Sequence, residues 1–248
     1  MDKDFRSICV MGLGYIGLPT ASLLGTKGYK VTGVDVSQSV VETINQGKIH
    51  IVEPDLDLLV KSAVNAGNLK ASLEPCKADI FIIAVPTPFK DDYVPDLSYV
   101  EHATKAIAPF IEAGNLVILE STSPVGTTDR VAEILADAGH KDDVFIAHCP
   151  ERVLPGRILI ELVQNDRIVG GINKVSTKKA SAFYKEFVSG EVLETDAKTA
   201  ELSKLTENSF RDVNIAFANE LSLICDKEHI DAWELISLAN RHPRVNIL

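Results

Sequence analysis

The stretch ICVMGLGYIGLP constrains this chain more than any other. It sets Gly12, Gly14 and Gly17 between an apolar run that reads as a strand and an unbroken apolar segment that reads as a helix. Glycine at these spacings permits a tight strand-to-helix turn and lets a ligand approach the backbone closely. The helix that follows directs unpaired N–H groups and a positive dipole end at that turn, which suits a phosphate. The next apolar run ends at Asp35, about 20 residues on, where a carboxylate can accept hydrogen bonds from a ribose diol. The glycine spacing alone is weak evidence. Strand, helix and acid in the right order make it a dinucleotide site, and a carboxylate that would repel a 2′-phosphate favours NAD over NADP.

The rest of the chain continues the rhythm. Short apolar runs at Ser7–Met11, Lys30–Val34, Leu69–Ser72, Asp79–Val85, Leu116–Leu119, Val144–Ala147, Arg167–Val169 and Val192–Glu194 predict strands. Amphipathic segments at Leu18–Lys27, Val40–Gln46, Asp55–Ala66, Leu97–Phe110, Thr128–Ala138 and Val175–Val188 predict helices. Alternation of this kind predicts an α/β fold with a Rossmann-type, doubly wound, mostly parallel sheet. VEPDL reads as a helix start, with Pro54 in the first turn and acidic residues at the positive end of the dipole. After Asp196 the pattern changes. Nothing breaks a helix until about Asp226, which predicts a long central helix of roughly 45 Å at 1.5 Å per residue. Leu202, Leu205, Val213, Ala216, Phe217 and Ile224 share its broad apolar side, as expected of a spine between domains or a dimer contact. Asp231 then caps a shorter helix through Ala239. The expected organisation is a dinucleotide-binding domain over 1–195 and a linker helix opening a further helical domain over 196–248.

Composition narrows the partners. With a formal net charge of −10, the chain is a poor match for nucleic acid or a membrane surface, so an anion site must be built locally. The N-terminus runs from charged residues straight into a strand, unlike a signal peptide. The apolar runs are too short to cross a bilayer. Cys9, Cys76, Cys149 and Cys225 show no metal-ligand spacing, so reduced thiols in a cytoplasmic protein and no metal are expected.

Further candidate residues sit where strands end. Thr87 lies between Pro86 and Pro88, and ESTSPVGTT crowds hydroxyls, Thr122 and Thr128 among them, around Pro124 and Gly126. Loops beyond the carboxyl ends of strands are where ligands of such sheets bind, although plain turn chemistry explains each loop alone equally well. On the long helix, Lys204, Asn208 and Arg211 at i, i+4 and i+7 share one face. A lysine and an amide so placed can hold an alkoxide and a water while a hydride leaves, but spacing alone fits a solvated polar stripe better. Glu151 and Arg152 follow another strand end, as a general base and its neighbour or as a surface ion pair. His148 and Cys149 read as packing residues. At the far end, Arg241, His242 and Arg244 crowd around Pro243.

Taken together, VMGLGYIGLP, VPTPF, ESTSPVGT, CPERVLPG and KLTENSFRDVNIAFANELS resemble the UDP-glucose/GDP-mannose dehydrogenase family along essentially the whole chain. The resemblance implies oxidation of the C6 alcohol of a nucleotide sugar to a carboxylate, with two NAD reduced in sequence. It assigns NAD contacts to Tyr15, Ile16, Asp35, Thr87 and Thr128. It assigns contacts with a UDP-N-acetylhexosamine to Arg152, Val153, Lys204, Asn208, Arg211, His242 and Arg244. Lys204 takes the acid/base and oxyanion role, Asn208 and Thr122 position a water, and Glu151 aids thioester hydrolysis. Pro155 stands where UDP-glucose enzymes carry a second glutamate, which fits a branch acting on N-acetylated sugars. The family's glycine-rich segment with its nucleophilic cysteine, and a further nucleotide-binding domain, follow the cationic tip in the resemblance and are not in this sequence. A truncated chain, inactive alone and dimeric through the long helix, is therefore expected. Two rival readings stay open: a β-hydroxyacid dehydrogenase, which needs no cysteine, and a non-catalytic NAD-binding dimerisation module.

Overall fold

The computed structural model describes residues 6–141 and 143–247. The first five residues of the charged N-terminal stretch, Asp142, and Leu248 at the end of the tip lie outside the described residues. The chain divides into two compact units, Met1–Leu202 and Ser203–Leu248.

The first unit is built on one eight-stranded sheet: β1 (Ser7–Met11), β2 (Lys30–Val34), β3 (Leu69–Ser72), β4 (Ile80–Ile83), β5 (Leu116–Leu119), β6 (Phe145–His148), β7 (Arg167–Gly171) and β8 (Val192–Asp196), in the order β3-β2-β1-β4-β5-β6-β7-β8. All neighbours run parallel except β6 and β7, where Ala147 pairs Gly171 in the antiparallel sense. The period of two decides which residues face which layer. Ile8, Val10, Ile80, Ile82, Leu116 and Ile118 point into one apolar layer, and Cys9, Met11, Phe81, Ile83, Val117 and Leu119 into the other. Helices α1 (Gly17–Thr26), α2 (Gln38–Asn45), α3 (Leu56–Asn65), α6 (Ile158–Gln164) and α7 (Lys174–Lys185) contribute buried residues to the first layer. The second is covered by α4 (Ser98–Ile107) and α5 (Thr127–Asp137). Both faces are dry, which is why the central strands are almost wholly apolar. The outer strand β8 is exposed along most of its length and carries Glu194, paired with Lys185, a charged edge of the kind that discourages further pairing.

The expected strands and the six expected helices are present with ends shifted by a few residues. Two local expectations need correction. VEPDL does not place Pro54 in the first turn: α3 begins at Leu56, after Asp55 turns the chain with φ 61°. Glu53 leaves its own helix and accepts from Gly156 N and Ile158 N, both at 2.8 Å, so its charge serves the start of α6. Helix α6 was not expected, because seven residues show too little of the 3.6-residue period; its buried Ile158 and Leu162 are one turn apart.

Helix α8 (Ala197–Glu228) starts in the first unit and forms most of the second, over the length its unbroken pattern predicts. In the second unit Asp231 caps α9 (Ala232–Ala239) by accepting from Trp233 N at 2.8 Å and Glu234 N at 3.1 Å. The chain then folds back: Asn240 exchanges two hydrogen bonds with the backbone of Ile247, at 2.8 and 2.9 Å. Arg241, His242 and Arg244 are held on the exposed turn that this clamp closes.

Candidate functional site

The sheet order reverses between β1 and β4, so a crevice opens beyond their carboxyl ends. Three glycines shape its floor. Gly12 has φ +93°, and a side chain there would meet the carbonyl of Ala84 at 2.6 Å. A side chain on Gly17 would strike the carbonyl of Gly12. Gly14 differs: it is exposed, and nothing lies within 4 Å of where its Cβ would be. Two glycines therefore lock the turn, and the third leaves its open side to a ligand. Tyr15 is exposed beside it, Ile16 half-buried, and α1 starts at Gly17 with its amide end at the turn. Asp35, just past β2, accepts from Leu13 N at 3.1 Å and from Ser37 N at 2.9 Å. Its carboxylate is thereby held at the glycine turn, where a ribose would lie if a pyrophosphate met α1. The residues fit a dinucleotide.

The loops after β4 and β5 are tied together. Thr87 Oγ1 donates to the carbonyl of Thr122 at 2.5 Å, and Ser121 Oγ donates to the carbonyl of Val85 at 2.7 Å. A residue the motifs did not single out anchors the far end of the second loop. Glu201, fully buried in the first turns of α8, accepts from Gly126 N at 2.6 Å, Thr128 N at 2.7 Å and Thr128 Oγ1 at 2.6 Å. It meets the positive end of α5 as an anion would. Both donors of Thr128 are committed to Glu201, and the residue is fully buried. The only signal in the sequence was an acid on the same helix as Ala197 and Ala200, small residues that are buried.

The loop after β6 carries Glu151, Arg152 and Val153. Glu151 is not half of a surface ion pair. It is 6% exposed, its Oε2 accepts from Arg167 Nη1 at 2.8 Å, and its Oε1 accepts from Arg152 N at 2.6 Å. Arg167, the first residue of β7, is 2% exposed and also donates to the carbonyl of Leu162. Tyr184 on α7 lies under its guanidinium, 5.6 Å from ring centroid to Cζ, and donates to Glu120 Oε1 at 2.8 Å. Arg152 and Val153 are half-buried, and Arg152 Nη1 donates to the carbonyl of Asp166. His148 and Cys149 are buried packing residues, and burial lowers His148 to about 4, so it is neutral.

Three of the four thiols are buried away from attack. Burial pushes Cys9 and Cys149 up to about 12, Cys225 is 1% exposed, and Cys76 is half-buried. Among the described residues, no cluster of His, Cys, Asp and Glu could hold a metal, and no helix is long and apolar enough to cross a membrane.

In the second unit, Lys204, Asn208 and Arg211 are brought to one face of α8 by helical register, Lys204 and Asn208 half-buried and Arg211 exposed. His242 and Arg244 sit on the clamped turn, where His242 Nδ1 accepts from Arg244 N at 3.3 Å.

A doubly wound sheet with this glycine turn and Asp35 defines a dinucleotide-binding domain of the dehydrogenase type. The chain belongs to the UDP-glucose/GDP-mannose dehydrogenase family: residues 6–188 match its NAD binding domain and 198–248 its central domain. It is 60% identical over 99% of its length to a UDP-N-acetyl-D-mannosamine dehydrogenase of Campylobacter jejuni, of which it covers 63%. It is 58% identical, over its whole length, to an NDP-N-acetyl-D-galactosaminuronic acid dehydrogenase of Ralstonia nicotianae, of which it covers 61%. Among solved structures, a UDP-D-ManNAc dehydrogenase from Pyrococcus horikoshii superposes with a TM-score of 0.93 at 45% identity, covering 98% of this chain and 59% of that one. The chain thus spans about three-fifths of the length of these relatives.

Proposed function

We propose that the protein is an NAD-dependent dehydrogenase that oxidises the C6 hydroxyl of a UDP-N-acetylhexosamine, with UDP-N-acetyl-D-mannosamine first, to the uronate. The observation that carries this reading is the turn in which Gly12 and Gly17 are sterically obligatory, Gly14 is open and Asp35 is held by two backbone amides. The relatives' names supply the substrate class, and because they name two different sugars, the epimer is decided by assay.

NAD, when bound, supplies the hydride acceptor. This chain's residues supply the rest. Gly14, Tyr15, Ile16 and the start of α1 receive the dinucleotide, Asp35 takes the ribose diol, and Thr87 joins them from the loop after β4. Lys204 carries the acid/base and oxyanion work, Asn208 and Thr122 each serve in positioning water, and Glu151 serves the hydrolytic step. Arg152, Val153, Arg211, His242 and Arg244 bind the UDP-sugar, the cations of the tip facing its diphosphate. The cysteine that such a two-step oxidation requires is none of the four in this sequence. Residues 1–195 act as the NAD domain and 196–248 as the start of the central one.

The protein acts as a cytoplasmic homodimer, with no nucleic-acid or membrane partner. Phe210, Val213, Phe217 and Leu223, all more than half exposed, support pairing through the long helix.

Calorimetric titration of the chain with NAD and NADP tests the cofactor half of the proposal. NAD should bind more tightly, and Asp35→Ala should remove the difference; equal affinities in the unaltered chain would sink the role given to Asp35. In the protein at full natural length, Arg244→Ala should weaken UDP-sugar binding by about 1.5–3 kcal/mol with NAD affinity unchanged. Lys204→Ala should depress kcat more than it raises KM.

A further inference from the structure

Beneath Glu151 lies a buried polar group that the reaction as described does not use. Glu120, at the end of β5, is 2% exposed; its Oε1 accepts from Tyr184 and its Oε2 has no hydrogen-bond partner. Arg167 sits over the Tyr184 ring and is bonded to Glu151, so Glu120, Tyr184, Arg167 and Glu151 form one connected chain across β5, α7, β7 and the β6 loop. The titratable groups acting on Glu120 are Glu151, Arg167 and Tyr184, and Cys149 completes the cluster as a buried thiol.

Charge counting decides the state of this group. Arg167 and Glu151 neutralise each other. A second ionised carboxylate in the same dry volume would leave one negative charge unmatched and one bare oxygen desolvated. A proton on Glu120 removes that cost, and it leaves the whole of Arg167's charge to Glu151.

We propose that Glu120 is a positioning residue that holds a proton and, through Tyr184 and Arg167, keeps Glu151 fixed in the loop after β6. The direction of Glu120's titration agrees: burial first, then the neighbouring Glu151, raise it to about 7 against the opposing pull of Arg167 and Tyr184. Ionisation of Glu120 then sets two carboxylates in competition for one guanidinium, and Glu151 loosens. The consequence for turnover rests on the hydrolytic role proposed for Glu151; the proton on Glu120 does not.

Infrared difference spectroscopy of the chain during a pH titration reads that proton as a carboxylic-acid carbonyl band. Slightly below neutral pH, where ordinary carboxyls have ionised, the band should be present. It should be absent in Glu120→Gln. In Glu151→Gln it should vanish at the same pH, because Arg167 becomes free to hold Glu120 ionised. In Tyr184→Phe it should persist to higher pH, because a donor to the charged form is lost. A band that survives Glu120→Gln, or a Glu120 titration unmoved by Glu151→Gln, overturns the proposal. Should Glu120→Gln fail to fold, the other two variants carry the same decision. In the protein at full natural length, the pH profile of kcat for uronate release should show a limb near neutrality that Glu120→Gln lacks, with KM for NAD unchanged. A full-length protein that makes no uronate overturns the functional reading alone, since the infrared arms are read without activity.

Discussion

Arg167 and Glu151 are a buried ion pair of the kind whose halves cannot be removed separately. Arg167→Met leaves Glu151 charged and unpaired in a dry site, and should cost about 3–5 kcal/mol in denaturant unfolding. The double variant Arg167→Met/Glu151→Gln should recover much of that loss, because no charge remains to be desolvated. Glu120 predicts a pH dependence. Burial raises it to about 7 in the fold, above the ordinary carboxyl value of 4.5, so its contribution is complete below about pH 4.5 and is lost as pH rises to about 7. His148 works in the opposite sense: held at about 4 against 6.5 unfolded, it costs stability as pH falls through that interval. Thermal midpoints of the wild type alone mix the two. The difference between wild type and Glu120→Gln isolates the carboxyl, and should turn in favour of the variant between about pH 4.5 and 7. At this scale the sequence showed only part of the site. Asp35 and the glycines were legible because their roles follow from backbone geometry next to a strand and a helix. Glu120, Arg167 and Tyr184 were not, because each sits in an ordinary apolar segment and meets its partners across some 16 to 64 residues of chain.

Helix ends carry the next level. Glu201 caps α5 from the first turns of α8, three hydrogen bonds to a carboxylate that has no exposed surface. Glu201→Ala would leave the buried Thr128 N and the half-buried Gly126 N without acceptors. Each costs about 1–3 kcal/mol, so the loss in unfolding free energy should reach several kcal/mol, and Glu201→Gln should lose less. Asp231 makes the milder case. Its cap on α9 is exposed, and Asp231→Ala should cost about 1 kcal/mol, read as a lower thermal midpoint. That cap and the 32-residue α8 were legible in the sequence, one from an acid before an apolar run, the other from the absence of any breaker. The turn at Pro54 and helix α6 were not: Glu53 bonds to Gly156 N, 103 residues away, and α6 is shorter than two full periods. Local pattern predicts local capping. It cannot see a carboxylate spent on a distant loop.

For the molecule as a whole, alternating apolar and amphipathic segments foretold the doubly wound sheet, since a parallel sheet needs cover on both faces. The antiparallel entry of β7 was hidden, because residue pattern is the same for either direction of a buried strand. The surface of the second unit makes its own prediction: a homodimer by light scattering, turned toward monomer by Phe210→Asp with Val213→Asp. In the proposed reaction the second oxidation needs a nucleophile that the four thiols of this chain do not provide, so the 248 residues alone should not complete the oxidation to two NADH per nucleotide sugar. The decisive measurement is the stoichiometry of NADH in the protein at full natural length, given limiting UDP-N-acetyl-D-mannosamine and excess NAD. Two NADH per sugar are expected, with the uronate as sole product. One NADH per molecule with release of an aldehyde, or NADH formed from a small β-hydroxyacid and not from the nucleotide sugar, would contradict it.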